Sequence, residues 1–519
     1  MSWIVKDKSH KRISAGFHER RMRKEGFVSG YVQPTPEWMF FKTVSLYPTM
    51  DIIGARKYYY MSLKEVVDNM LVIERQLLED NKEELVAKSI KVAREVGLAK
   101  DYPLISAHLL SKDNIAFSLE KTPPHLLLRF VLIARRAPDL VGGLGRRKKG
   151  AVSKIMEGWG TDKLEYYAVR YRNVIKDLVR LVHPKLSDPT ANKIVAWTLR
   201  KAQAPTPYIK AYEEFLRTAN SDPDRALDIA IDNRLPYEVV RANIPINKVR
   251  PDKLAYAMIR IASPITAYMN LSTIARAGND LLALSVASKH ADRVPLTYGY
   301  KAVIGLASQG HVELAKSIED RLKSRTDKVI DEISLPIEKP RKSAVFLIDM
   351  SGSMSGSPIR QVMNVAYPLR SVSSEVLVFN SDKMPPEPVE LKTIDDYFRI
   401  LEMPDGGTPL EEAVKYAVRE ARRLDSMLFI FTDEMGNIFR DSNIVKVPDD
   451  VPTLVFNPTP YPTEHIVKDY GHVVGLPASS IDTARAGVSL LQLNKVQSEG
   501  IEFVDIVDTL LSKLTRQKT

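Results

Sequence analysis

A change in hydrophobic pattern near residue 340 constrains the fold of this chain more than any other feature. Between about Ser62 and Arg325, apolar residues recur at spacings of three and four, as in LKEVVDNMLVIERQLL and HVELAKSIEDRLKS. After Pro336 and Pro340, short apolar runs rich in β-branched and aromatic residues alternate with helical stretches. These runs are SAVFLID, SEVLVFN, SMLFIFT and VPTLVFN. The sequence therefore predicts a long all-helical segment of HEAT-like character, followed by an α/β segment with a parallel sheet between helices.

Charge divides the chain at nearly the same place. The formal net charge of +11 is the sum of +19 over residues 1–343 and −8 over residues 344–519. We predict three parts, a basic N-terminal arm at 1–30, a helical domain at 31–340 and an α/β domain at 341–519. The imbalance favours a polyanion partner for the helical part and a cation for the α/β part, although a solvated basic surface is the alternative.

Several functional classes are excluded or disfavoured. The absence of cysteine excludes disulfides, thiolate zinc sites, iron–sulfur clusters and cysteine nucleophiles. No apolar run is long enough to cross a bilayer or to serve as a secretory signal, so we expect a cytoplasmic protein. The sequence contains no HExxH, P-loop or nucleophile elbow, which favours binding over catalysis.

Oxygen-bearing side chains cluster just after two predicted strands and before one helix. Asp349, Ser351 and Ser353 have the spacing Asp-x-Ser-x-Ser after SAVFLI, Thr408 lies in GGTPL, and Asp433 follows LFIF. The pattern resembles the metal-ion-dependent adhesion site of von Willebrand A domains. That resemblance implies direct binding of a divalent ion, Mg²⁺, by the three hydroxyls and water-mediated contacts from the two carboxylates, which suits a hard cation. The alternative is a strand-to-helix turn in which Asp and Ser cap the next helix.

Basic residues of the helical segment fall in two clusters. Arg146, Arg147, Lys148 and Lys149 lie between two glycines as a basic loop that could neutralise phosphates at a helix start. The segment YRNVIKDLVRLVHPK places Ile175, Leu178, Val179 and Val182 on one helix face and Lys176, Asp177 and Arg180 on another. His183 precedes Pro184, so it should stand at the helix end and project into a loop. It could also simply cap that helix, and the basic loop could be a solvated surface.

Segments spread from about Gly30 to the C-terminus resemble the Ro ribonucleoprotein family, whose helical part is the TROVE domain. The segments are YRNVIKDLVRLVHPK, SPITAYMNLSTIAR and RVPLTYGYKAVIGLASQGH. The resemblance implies a ring of HEAT-like helix pairs followed by a von Willebrand A domain. It also implies that small structured Y RNAs bind outside the ring and that single-stranded ends of misfolded RNA enter its hole. The residues that match the family's RNA-contacting region are Arg170, Arg172 and His183, with Lys176 and Arg180 on the same helix.

Two other functional classes compete with this one. A metal-dependent scaffold for protein interactions, such as an adaptor of an ATPase, would explain the α/β part but does not need the +19 of the helical part. A nuclease is disfavoured, because hydroxyls with two carboxylates fit one metal ion rather than a carboxylate-bridged pair. We expect a monomer that does not act as an enzyme and that carries small non-coding or misfolded RNA. An exoribonuclease or another protein could dock at the metal site.

Overall fold

A computed structural model describes residues 35–46, 63–96, 102–333, 343–434, 445–458 and 472–478, with scattered positions from 481 to 508. The chain forms two compact units. One is Leu110–Asp327, and the other combines Met1–Leu109 with Lys328–Thr519. The basic arm at 1–30 lies outside the described residues, and the predicted division at residue 340 stays a prediction.

Helices near the N-terminus belong to the same unit as the sheet. The Phe41 ring packs edge-on against Phe503, with their centroids 5.7 Å apart, and Lys88 Nζ lies 2.8 Å from Asp508 Oδ1. An apolar contact and an ion pair thus join the two ends of the described chain within this unit. Its N-terminal helices are α1 (Pro36–Leu46), α2 (Leu63–Glu79), α3 (Glu83–Val96) and α4 (Tyr102–Ser106).

The unit Leu110–Asp327 is built from short helices whose starts are encoded locally. Several begin with proline, which lacks the N–H that the first turn cannot pair. Asp188, Thr206 and Asp222 accept backbone N–H groups of the first turns of three of these helices. Apolar residues then bury one face of each helix. The helices are α5 (Lys112–Ser118), α6 (Pro124–Arg136), α7 (Pro138–Val141), α8 (Arg146–Glu157), α9 (Gly160–Arg170), α10 (Arg172–Val182), α11 (Pro189–Thr198), α12 (Pro207–Thr218), α13 (Pro223–Asp232), α14 (Tyr237–Asn243), α15 (Pro251–Ile261), α16 (Pro264–Met269), α17 (Leu271–Ala275), α18 (Asp280–His290), α19 (Leu296–Ala307) and α20 (Val312–Ile333).

Six strands form one sheet in the order β3-β2-β1-β4-β5-β6. Every neighbouring pair is parallel except β2 and β3, which are antiparallel. All six residues of β1 are buried, as expected for a strand covered on both faces. The strands are β1 (Ala344–Asp349), β2 (Ser373–Asn380), β3 (Lys383–Pro388), β4 (Met427–Phe431), β5 (Thr453–Asn457) and β6 (Val473–Pro477), and the helices between them are α21 (Ser357–Ala366), α22 (Ile394–Leu401) and α23 (Leu410–Arg423).

Stacked aromatic rings fill part of the sheet's core. Phe346 stacks on Phe429 with centroids 5.5 Å apart, and Phe431 stacks on Phe456 at 4.8 Å. The predicted fold class, a long helical segment followed by a mostly parallel α/β sheet, is confirmed. Within the described ranges, no helix combines the length and the apolar character that a bilayer span requires.

Candidate functional site

The candidate metal residues lie where the strand order reverses. The chain builds one side of the sheet outward from β1 through β2 and β3, and then returns to the other side of β1 with β4. A crevice forms at the carboxyl ends of parallel strands at such a point. Asp349, the last residue of β1, pairs with Phe379 of β2, and Ile348 pairs with Phe431 of β4. The candidate ligands therefore begin at the position where α/β sheets commonly bind ligands.

Asp349 is fully buried and is held by two hydrogen bonds. Ser351 N donates to its Oδ1 at 2.8 Å, and Thr432 Oγ1 donates to its Oδ2 at 2.6 Å. Burial raises the pKa of Asp349 to about 6, although the bonds from Thr432 and Ser351 oppose that rise. A nearby cation would stabilise the ionised carboxylate, because its positive charge replaces the stabilisation by water that burial removes.

The two serines after β1 converge. Ser351 Oγ and Ser353 Oγ are 3.1 Å apart, and Ser351 is buried. Adjacent oxygens of an octahedral Mg²⁺ shell are separated by about 3 Å when each lies about 2.1 Å from the ion. The hydroxyl pair therefore has the spacing that two neighbouring ligands of one Mg²⁺ require.

Backbone contacts tie the loop of Thr408 to the serine turn. Gly352 N, between the two serines, donates to Gly406 O at 2.9 Å, and Asp405 N donates to Met350 O at 2.7 Å. Gly406 has φ +75°, and a Cβ there would lie 2.5 Å from Ser381 Oγ, so glycine is required on both counts. Thr408 lies two residues after Gly406 in this loop.

Asp433 completes the predicted set and lies almost fully buried just after β4. No group of three or more His, Cys, Asp and Glu side chains suited to a metal ion occurs in the described part of the chain. A cation at this edge would consequently depend on hydroxyl ligands next to Asp349 and Asp433. The sequence did not point to Thr432, whose hydroxyl donates a hydrogen bond to Asp349, 83 positions earlier in the chain. The only signal for it was its place between strand β4 and Asp433.

In the other unit, four candidate RNA-binding residues share one face of α10. Arg172, Lys176 and Arg180 are spaced by four residues, which puts them within about 80° around the helix and about 12 Å along it, and His183 stands at the C-terminal end of the helix. Arg180 and His183 are exposed. His183 directly follows the helix with φ +54°, so its predicted position at the helix end is confirmed. We call these four residues the cationic stripe.

No carboxylate of the described residues forms an ion pair with the cationic stripe. Lys176 Nζ has only a long contact of 3.4 Å with Asn173 Oδ1. The guanidinium of Arg172 lies over the Trp197 ring, with Cζ 4.1 Å from the ring centroid. The opposite face of the helix is apolar and buried through Ile175, Leu178, Val179 and Val182. The helix thus presents positive charge on the side that its core contacts leave open.

Arg170 is in a different situation. Its Nη2 lies 2.6 Å from Glu238 Oε1, and Nη1 donates to Tyr166 Oη at 3.0 Å. The same Glu238 oxygen accepts the hydroxyl of Thr266 at 2.6 Å. Arg170 therefore connects α9 with α14 and α16, and a carboxylate offsets its charge. No sequence pattern pointed to Glu238 as a partner, because it lies 68 positions away.

The basic run at 146–149 forms the first turn of α8, so its description as a loop was wrong. Arg146 and Arg147 are exposed, whereas only 3% of Lys148 is exposed. Lys148 Nζ donates to Val141 O at 2.6 Å and to Gly142 O at 2.8 Å. Burial lowers the pKa of Lys148 to about 8, and Arg147 adds to that effect. The structure thus separates Lys148, which holds the end of α7, from its exposed neighbours.

Comparisons with known proteins agree with this architecture. The RNA-binding protein RO60 of Deinococcus radiodurans is 27% identical over 126 residues, which cover 23% of this chain and 23% of that protein. The crystal structure of the Ro (RSR) protein of the same organism matches with a TM-score of 0.61 and 15% identity, over 89% of this chain and 100% of that one. No family model matches. The likeness to the Ro family inferred from the sequence is therefore confirmed at the level of fold, which this chain shares with the Ro protein of Deinococcus radiodurans.

Proposed function

We propose that this chain is an RNA-binding protein that holds small structured RNA on the cationic stripe of α10. The observation that carries the proposal is the alignment of Arg172, Lys176, Arg180 and His183 on one helix face without a carboxylate partner among the described residues. Such a stripe can contact successive phosphates, which gives affinity and orientation rather than sequence specificity. The charge of +19 on residues 1–343 and the similarity to the RNA-binding protein RO60 of Deinococcus radiodurans support the same conclusion.

The finer part of the proposal concerns the kind of RNA. Structured RNA of the Y type would bind the stripe through its shape and its phosphates, and unpaired ends of misfolded RNA would bind elsewhere in the basic part of the chain, residues 1–343. The role is that of a binding protein in RNA quality control, and we assign no catalytic step. Sequencing the RNA that stays with the purified protein identifies the class that it carries.

The test is a mobility shift with an in vitro transcribed stem-loop RNA over a range of salt concentrations. We expect affinity to fall steeply with salt, because binding releases counterions from the phosphates. The double variant Lys176→Ala/Arg180→Ala should weaken binding and reduce the slope of log K against log salt by about 2. Wild-type protein that shifts no RNA at low salt would rule the function out.

The matched control removes the same charge elsewhere in the same unit. Arg225 and Arg234 are exposed, and their side chains form no ion pair with described residues. The variant Arg225→Ala/Arg234→Ala should therefore change the salt slope less than the stripe variant does. Equal effects would mean that RNA binding depends on net charge and not on the stripe.

A second proposed function belongs to the edge of the sheet, and the Ser351–Ser353 oxygen spacing supports it. We propose that Ser351, Ser353 and Thr408 ligate Mg²⁺, with Asp349 and Asp433 stabilising its charge from the buried side. A bound Mg²⁺ would offer an open position to a carboxylate of a protein partner, such as an exoribonuclease. Calorimetric titration with Mg²⁺ should show one site that Asp349→Ala abolishes. A site that persists in the variant would contradict this assignment.

A further inference from the structure

Among the four residues of the cationic stripe, Arg172 is the one whose head group the described structure holds in place. Its guanidinium lies over the Trp197 ring at 4.1 Å, and its Nη2 is 3.5 Å from Trp197 O. At that distance the guanidinium stacks on the indole and is attracted by its π electrons. Lys176 has only a long contact with its own helix, and Arg180 forms no ion pair with a described residue.

The Trp197 ring is itself fixed. The residue is 1% exposed, and its Nε1 donates to Glu213 Oε1 at 2.8 Å. Tyr212 packs edge-on against the ring, with centroids 6.0 Å apart. Two residues of α12 therefore orient an indole of α11, and that indole orients a guanidinium of α10. Arg172 itself is only half-buried, so part of its side chain reaches solvent.

We propose that Trp197 is a positioning residue for RNA binding, with Glu213 as its support. The inference deepens the proposed function and depends on it. An arginine on a mobile side chain must lose rotamer freedom before it can bind a phosphate with two parallel N–H bonds. Stacking on Trp197 restricts the Arg172 guanidinium before RNA arrives, so the free protein already presents the donor edge. A lysine at 172 would keep the charge but lose both the stacking and the planar donor pair.

The experiment is a double-mutant cycle on affinity for the stem-loop RNA. Trp197→Phe keeps an aromatic ring in the core but weakens the stacking and removes the bond to Glu213. We expect it to weaken RNA binding about two- to fivefold, the size of one partly exposed cation–π contact. In the Arg172→Ala background the same substitution should have no further effect, because no guanidinium remains to be positioned.

Trp159→Phe is the matched control. Trp159 is 5% exposed in the same unit and packs edge-on against Tyr167, and in the described structure no cation lies over its ring. This variant should leave RNA affinity unchanged while disturbing the core to a similar extent. Circular dichroism and thermal unfolding of all variants exclude a general loss of structure.

A spectroscopic measurement separates positioning from a purely structural role. In protein labelled with ¹⁵N-arginine, ring currents of the indole should shift the Arg172 Nε–H signal upfield, and Trp197→Phe should move it back. Effects of Trp197→Phe that persist in the Arg172→Ala background would overturn the positioning role while the RNA function stands. Wild-type protein that binds no RNA would overturn both.

Discussion

The bond between Thr432 and Asp349 makes a quantitative prediction about the edge of the sheet. Both residues are fully buried, and Thr432 Oγ1 donates to the carboxylate at 2.6 Å while accepting Glu434 N at 2.9 Å. Thr432→Val keeps the shape and removes both bonds. A hydrogen bond to a charged group contributes about 1.5–3 kcal/mol and a neutral one about 1 kcal/mol, so the variant should lose about 2.5–4 kcal/mol of opening free energy.

Thr453→Val is the control, because it removes a hydroxyl from the same sheet. Thr453 is equally buried, and its Oγ1 donates to Val451 O, a neutral acceptor, at 2.9 Å. Thr453→Val should therefore lose about 1 kcal/mol of opening free energy. The difference between the two variants therefore combines the charged bond to Asp349 with the additional neutral bond from Glu434 N. It should be determined at pH 8, since burial raises the pKa of Asp349 only to about 6 and the carboxylate is then ionised.

The assay is hydrogen exchange at increasing urea, read on peptides from β1, β4 and β5. The chain has two compact units, so a global unfolding curve would mix their transitions, whereas exchange reports the opening free energy of the sheet itself. We expect the loss of opening free energy for Thr432→Val to exceed that for Thr453→Val by about 1.5–3 kcal/mol, whereas the extra bond from Glu434 N alone would give about 1 kcal/mol. Equal losses would refute the reasoning, because they would mean that the buried carboxyl group does not depend on its donor.

Three further predictions concern other parts of the molecule. Mg²⁺ at about 100 times its Kd should stabilise β1 by about 2.7 kcal/mol in the exchange assay, and Asp349→Asn should remove that gain. Burial lowers the pKa of His290 from 6.5, although its Nε2–H donates to Met258 O. The unfolded state therefore binds the proton first, and stability should fall as pH drops below 6.5, less so in His290→Gln. Lys148→Ala should lower stability by about 1–3 kcal/mol with little effect on RNA affinity. Arg180→Ala should instead weaken RNA binding with little effect on stability. Measuring the unfolding free energy and the RNA affinity of both variants tests these two opposite expectations.

Strands were predictable where burial on both faces dictates their composition. The runs SAVFLID, SEVLVFN, SMLFIFT and VPTLVFN correspond to β1, β2, β4 and β5. Strand β3 was missed because its sequence, KMPPEP, contains three prolines, which only an edge strand tolerates. Strand β6, VVGLP, is short and contains Gly475 and Pro477, so its pattern does not stand out from a loop. The missed strands are the two at the edges, where packing constrains sequence least.

The candidate sites show a similar contrast, between residues that are close in sequence and residues that only the fold brings together. Asp349, Ser351 and Ser353 follow one strand, so their spacing alone predicts that they lie together. Thr432 and Trp197 were not predicted, because each acts on a residue that is brought close only by the fold. A tryptophan within the segment KIVAWTL also has the appearance of an ordinary core residue. Its burial at 1% agrees with that interpretation, and nothing in the sequence pairs it with Arg172.

Lys148 shows that the number of basic residues in a run is a poor guide to the charge available for binding. On a helix, position 148 shares a face with positions 151, 152 and 155, and Ala151, Val152 and Ile155 are all buried. The phase of α8 therefore directs one of the four basic side chains inward, and this could have been predicted from the apolar spacing. On α10 the same rule separates Arg180 from the buried Val179. Helical phase, more than the charge total of +19, thus determines which cations can meet a phosphate.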